Sequence, residues 1–315
     1  MPPKFFGRED IRRALSFETC VTLMREAMTA VSSGGISQPA RQILPLAGGK
    51  GAFGIMPGAA ADGRFGAKLI SVFHQPEGSS LPSHQGVVVL FDPQTGAPLG
   101  VLDAGEITRI RTAAASALAT DVLARPDAHR LLVLGTGEQA DAHVRAIAGV
   151  RPLSRIMLWG RNPARAQALA DELAHDGLAA EVAADLPTAA GQADIICTTT
   201  AAAEPILLGA WLSEGVHVNL VGSSRAGPTE VDDDLVARSR FFVDSRENVL
   251  AQGAEFVRAR AAGRVDDSHI VGEIGEVLLG AVAGRRSATE ITAYKSLGCV
   301  AQDLWSGWHV LQAHS

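Results

Sequence analysis

Cysteine is scarce: Cys20, Cys197 and Cys299 are the whole complement of a 315-residue chain. Their odd number and wide spacing exclude a disulfide framework or a zinc motif and fit a reducing cytoplasm. Histidine offers no metal site either, because His74, His84 and His217 lack an i, i+4 partner or a carboxylate at ligand spacing. No uninterrupted apolar run is long enough to span a bilayer, and Met1 to Asp10 is too polar for a signal peptide. Positive charge is not in surplus. A net charge of -6 from intermixed acids and bases gives no electrostatic reason to bind nucleic acid or an anionic membrane. Internal repeats and low-complexity segments are absent. With 47% hydrophobic and 20% charged residues, the composition is that of a globular protein with a substantial core, long enough for two domains.

The most informative stretch is Arg130 to Ala140. Leu131-Leu132-Val133-Leu134 runs into Gly135-Thr136-Gly137-Glu138-Gln139-Ala140, which reads as strand, tight turn and helix. Gly135 permits the reversal, Gly137 lets the backbone approach a pyrophosphate, and Ala140 is small enough for close helix-strand packing. The helix N-terminus then offers free N–H groups and the positive end of its dipole to phosphates. A second strand, Arg155 to Trp159, completes a βαβ unit. After it, where an NAD site carries an acid for the ribose 2′-hydroxyl, stand Gly160, Arg161 and Asn162. A guanidinium binds a 2′-phosphate that a carboxylate would repel, so NADP is favoured over NAD, with Arg165 as a second contact. Asn162 and Pro163 also mark a helix start.

Beyond this unit, helices at Pro163 to His175 and Leu186 to Gly191 alternate with strands at 180–182, 195–197, 216–221 and 241–243. The alternation predicts an α/β fold with a doubly wound parallel sheet, and puts Thr198, Thr199, Thr200 and Gly222-Ser223-Ser224 at the ligand end of its strands. The first third reads differently. One helix from Glu9 to Ser32 precedes strands at 42–46, 52–56 and 65–73 and a hairpin of 87–91 with 98–102 around Asp92-Pro93-Gln94-Thr95-Gly96. A long helix from Gly105 to Leu123, dense in small residues at Thr112 to Ala119, leads into the glycine turn. Near the end, Ile274 to Val282 is helical, and the strand at 290–294 leads out of the nucleotide sheet, so the amphipathic helix Cys299 to Gln312 is expected to rejoin the first domain. The expected domains are 1–118 with 297–315, for substrate and dimerisation, and 119–296, a Rossmann-type nucleotide domain.

Three cations of the first domain are candidate anchors for a substrate: Arg41, Lys68 and Arg111. Lys68 lies in the apolar strand Gly66-Ala67-Lys68-Leu69-Ile70, where a lone ammonium is costly unless an anion pairs with it and where its pKa can fall far enough for proton transfer. Each of the three could equally be a surface cation or part of a structural ion pair.

Taken together, Arg41, Lys68, Leu90-Phe91-Asp92 with Thr95-Gly96, Arg111 to Ala115, Gly135 to Gln139 and Lys295-Ser296-Leu297-Gly298 resemble the ornithine cyclodeaminase and mu-crystallin family from about residue 35 to 310. The resemblance implies a nucleotide domain inserted in a substrate domain, and a homodimer formed by the substrate-domain sheets. It implies that Arg41, Lys68 and Arg111 grip the substrate carboxylate and that Lys68 takes part in proton transfer. Thr112 would lie near that carboxylate or the cofactor phosphates, Gln85 or His84 would border the substrate, and Ser296 would join the cofactor set with Gly135 to Gln139, Thr198, Thr199 and Gly222. One position departs. Family members that cyclise and deaminate ornithine carry an aspartate where this chain has Ser224, and a hydroxyl cannot serve an ammonium as a carboxylate does. The pattern is therefore more similar to the branch that reduces cyclic ketimine acids. Ornithine cyclodeamination, alanine-type dehydrogenation, dehydration of 3-hydroxyproline and non-enzymatic NADP binding stay open as alternatives.

Overall fold

The computed structural model describes residues 2–73, 84–223 and 227–314. The chain divides into two compact units, 1–111 with 299–315 and 112–298. The division falls inside one helix, a few residues before the boundary expected at 118.

The first unit opens with β1 (Lys4–Phe6), α1 (Arg8–Ala14) and α2 (Phe17–Ser32). The single helix expected at Glu9 to Ser32 is thus two, because Ser16 turns extended and caps α2 by accepting from Thr19 N at 3.1 Å. Next come β2 (Ile36–Ser37), β3 (Gln42–Pro45), β4 (Gly51–Ala60), β5 (Phe65–Phe73), β6 (His84–Phe91), β7 (Pro98–Asp103) and α3 (Ala104–Leu123). The sheet runs β1-β7-β6-β5-β4-β2, with β3 also on β4. Its pairs are antiparallel except β1 with β7, so the sheet is mixed.

The second unit contains β8 (Arg130–Leu134), α4 (Glu138–Ala148), β9 (Arg155–Trp159), α5 (Pro163–His175), β10 (Glu181–Val182), α6 (Leu186–Gln192), β11 (Ile195–Thr198), β12 (His217–Leu220), α7 (Asp233–Arg238), β13 (Arg240–Val243), α8 (Arg246–Gln252), α9 (Ala254–Ala261), β14 (Ile270–Glu273), α10 (Ile274–Leu278) and β15 (Thr292–Lys295). All eight strands are parallel, in the order β10-β9-β8-β11-β12-β15-β13-β14, the doubly wound sheet expected. β15 corrects the sequence reading. Far from leading out of the sheet, it lies between β12 and β13, and its Thr292, Ala293, Tyr294 and Lys295 are fully buried. The strand is too short for its pattern to reveal that it is covered on both faces.

The last helix, α11 (Val300–Ala313), does belong to the first unit. It packs on α2 and across β4, β5 and β6, where Gly58 and Gly66 leave room for Val300 and Leu304.

Candidate active site

The turn of the second unit has the geometry of a phosphate cradle. β8 is buried between β9 and β11, and Gly135 leaves it at φ +130°, a conformation that a side chain resists. A Cβ there would also meet Thr199 Oγ1 at 2.4 Å. Gly137 is the N-cap of α4, without a side-chain cap and with open space where a Cβ would be. Ordinary caps supply an oxygen to the first helical N–H groups, and here a ligand can do so. Thr136, Glu138 and Gln139 surround the turn, with Glu138 exposed. Arg161 and Arg165 are both exposed at the start of α5. Asn162 is the cap of that helix, its Oδ1 accepting from Ala164 N at 3.0 Å and Arg165 N at 3.4 Å, which leaves only its amide NH2 to a ligand. Thr112 and Ser296, also expected in the cofactor set, carry buried hydroxyls without a hydrogen-bond partner among the described residues. Two orphaned hydroxyls and an uncapped helix fit a dinucleotide.

The hydroxyls of Thr198 and Thr199 are already committed, Thr198 donating to Glu230 Oε2 at 2.7 Å and Thr199 to the Leu134 carbonyl at 2.9 Å. Gly222 N also donates to Glu230 Oε2, and Thr200 donates to Glu230 Oε1 from both N and Oγ1. Glu230, missed in the sequence, is a fully buried carboxylate that draws in the donors of both strand ends. Burial pushes its pKa up and the bonds from Thr198 and Thr200, with nearby Lys295, oppose this. Beside it Lys295, equally buried, donates to the carbonyl and hydroxyl of Ser223 at 2.6 and 2.7 Å and pairs with Glu255 at 2.8 Å. Ser224 lies outside the described residues.

In the first unit the cations come together. Lys68 is 2% exposed, and its Nζ donates to Asp303 Oδ1 at 3.0 Å and to Thr108 Oγ1 at 2.6 Å. Arg111 donates from Nε to the same Asp303 oxygen at 3.2 Å and from Nη1 to Gln302 Oε1 at 2.8 Å. Burial lowers the Lys68 pKa to about 8, Asp303 counteracts this, and the charges of Arg111 and Arg41 push it further down, which brings Arg41 into the same field. Two cations on one carboxylate oxygen, with the charge of Arg41 acting on the same Lys68, suit the binding of a small anion, and a guanidinium can fork onto a carboxylate. Gln85 does not share this site. It pairs with Ser71, three residues along β5 from Lys68, and so lies on the opposite face of the sheet. The His84 side chain lies outside the described residues. Gln302 and Asp303 escaped the sequence reading, although an acid between Val300 and Leu304 on an otherwise apolar helix face was the available signal.

Among the described residues no group of histidines, cysteines and acids could hold a metal, and no helix is long and apolar enough to cross a membrane. An uncapped glycine turn on a doubly wound sheet suits a nucleotide, and the buried cation cluster of the other unit suits a small anion.

Comparison with known proteins sharpens this reading. The model of the ornithine cyclodeaminase/mu-crystallin family matches residues 3–314. The Delta(1)-pyrroline-2-carboxylate reductase of Paracoccus denitrificans is 39% identical over 76% of each chain. The ketimine reductase mu-crystallin of Mus musculus is 35% identical over 96% of this chain and 94% of its own. The structure of Thermococcus litoralis Delta(1)-pyrroline-2-carboxylate reductase in complex with NADH and L-proline superposes with a TM-score of 0.95 at 30% identity, covering 98% of this chain and 96% of that one. The chain belongs to the ornithine cyclodeaminase/mu-crystallin family, and it is an NAD(P)-dependent oxidoreductase.

Proposed function

We propose that the protein reduces a cyclic ketimine acid, Δ1-pyrroline-2-carboxylate or Δ1-piperideine-2-carboxylate, to L-proline or L-pipecolate with NADPH. The observation that carries this reading is the buried Lys68 held by Asp303 beside Arg111, with Arg41 in the same field. Arg41 and Arg111 bind the substrate carboxylate and so fix the orientation of the adjacent C=N bond. Lys68, whose pKa of about 8 keeps it protonated at neutral pH yet ready to give up a proton, polarises or protonates the imine nitrogen. The reduced nicotinamide, when bound, supplies the hydride to the imine carbon. The C=N π pair then passes to nitrogen, which becomes an amine and takes up its further proton from solvent. Arg161, with Arg165 nearby, favours the 2′-phosphate of NADPH over NADH.

The relatives' names support imine reduction, and Ser224 speaks against ornithine cyclodeamination, which needs an anion for the substrate amine. The test is NADPH consumption by the purified protein on adding Δ1-pyrroline-2-carboxylate. Rates no higher than the background would sink the reading, and ammonia release from ornithine without net cofactor turnover would replace it with the cyclodeaminase.

The sheet of the first unit has a second, apolar face, formed by Phe53, Ile55, Leu69, Val87, Val89 and Val101, all only partly buried. A second copy of the chain covering this face accounts for it as a homodimer. The three free, buried cysteines suit a cytoplasmic setting. Sedimentation of the protein as a monomer would remove the dimer.

A further inference from the structure

Asp303 holds a buried carboxylate oxygen that the fold leaves unsatisfied. Oδ1 takes both cations, Lys68 Nζ at 3.0 Å and Arg111 Nε at 3.2 Å, whereas Oδ2 is buried and has no hydrogen-bond partner among the described residues. An ionised carboxylate has acceptor capacity on each oxygen, and leaving one dry is costly. The neighbourhood offers further asymmetry. Lys68 and Arg111 both lie on Oδ1, and the charge of Arg41 also acts on Lys68, so an incoming carboxylate is welcome, whereas a positive group on the same ligand is attracted to Asp303.

We propose that Oδ2 of Asp303 receives the N–H of the protonated ring nitrogen of the substrate, while Arg41 and Arg111 hold its carboxylate. The assignment rests on the ketimine reading above and names the residue that recognises the nitrogen. In a 2-imino acid the nitrogen and the carboxylate are borne on one carbon, so a ligand whose carboxylate lies on Arg111 brings its nitrogen within reach of the acid that Arg111 itself contacts. Position 224 is a serine, so the anion that faces the nitrogen comes from elsewhere, and Asp303 is the carboxylate in contact with Lys68. Once Lys68 has given the ring nitrogen its proton, Asp303 accepts the resulting N–H through Oδ2 and stabilises the iminium form, the better hydride acceptor, while its Oδ1 stays on Lys68 and Arg111.

Two planar acids of the same outline test this. Pyrrole-2-carboxylate presents a ring N–H, and furan-2-carboxylate presents a ring oxygen in its place. Measured as inhibitors of NADPH oxidation, or by calorimetry with cofactor present, the wild-type protein should bind the pyrrole acid about ten- to a hundredfold more tightly, the size of a hydrogen bond to a charged group. In Asp303→Asn, which keeps the shape and still offers Oδ1 to Lys68 and Arg111, that ratio should fall to about one or below, because the amide NH2 now faces the ring N–H. A merely structural role would weaken both acids alike and leave the ratio unchanged, which overturns the proposal. Should Asp303→Asn not fold, a wild-type ratio of one overturns it unaided. Turnover of Δ1-pyrroline-2-carboxylate with no preference for the N–H acid removes Asp303 from the nitrogen and spares the ketimine reading. Absence of both turnover and binding removes the two together.

Discussion

The turn after β8 and the cluster around Lys68 use charge in opposite ways. The turn lies in consecutive residues, Gly135 to Gln139, its Gly137 and Glu138 are exposed, and the arginines at 161 and 165 stand in solvent. Backbone donors and a helix dipole suffice there, because a phosphate brings its own charge to them. The cluster gathers residues from 41, 68, 111 and 303, and Lys68 and Asp303 are buried. Buried charge is strong only when each group is held by another, so losing one member disturbs all. A substitution in the cluster should therefore abolish chemistry, and one at the nucleotide rim should grade affinity.

The sharpest break is Lys68→Met. It keeps an unbranched apolar chain in the strand but removes the proton donor, and kcat with Δ1-pyrroline-2-carboxylate should fall about 10²- to 10⁴-fold. The contacts of Lys68 with Thr108 and Asp303 lie in its own unit, so NADPH affinity, followed by cofactor fluorescence, should stay within about twofold. A comparable loss of cofactor affinity would erase the contrast between the regions.

Next in size is a pH effect with two signs. With its pKa at about 8 in the folded protein, under the influence of burial, Asp303, Arg111 and Arg41, Lys68 loses its proton above that pH. The rate of imine reduction should then fall about tenfold per unit, as expected for one essential acid. Stability moves the other way. Between about 8 and the ordinary lysine value of 10.5 the unfolded chain keeps a proton that the folded chain has released, so this group's contribution to folding grows as pH rises. Thermal melts of wild type against Lys68→Met across that window isolate the term. A wild-type activity that is flat to pH 10 would show that Lys68 is not the acid.

The same contrast explains what could be read from the chain. The nucleotide unit is written locally: a strand, two glycines and a helix within eleven residues, then an arginine one strand later. Lys68 was conspicuous because an ammonium in an apolar strand demands an anion, yet its partner lies 235 positions away on α11. No spacing rule connects the two, and only an acid on an apolar helix face betrays that partner. Glu230 failed to stand out for a similar reason, since its donors at 198, 200 and 222 meet only when β11 and β12 are aligned. The four residues of β15 carry too little pattern to tell a central strand from a connector. For Gln85 a single step of register decides the outcome, because it sends a side chain to the other face.

At the rim the effects should be smaller and should separate two arginines. Arg161 stands two residues after β9, where a dinucleotide site reads the ribose. In Arg161→Glu a carboxylate replaces the guanidinium, repelling a 2′-phosphate and accepting from a free 2′-hydroxyl. KM for NADPH should rise about ten- to a hundredfold, the size of a hydrogen bond to a charged group, and KM for NADH should hold or improve. Arg165 sits one turn further along α5 and is equally exposed, so solvent and salt screen whatever it adds. Arg165→Ala should raise KM for NADPH by less than about fivefold, and the difference should vanish at high ionic strength. If instead Arg165→Ala cost more than Arg161→Glu, the 2′-phosphate would lie over the first turn of α5 rather than at the end of β9, and the cofactor's position on this sheet would have to be redrawn.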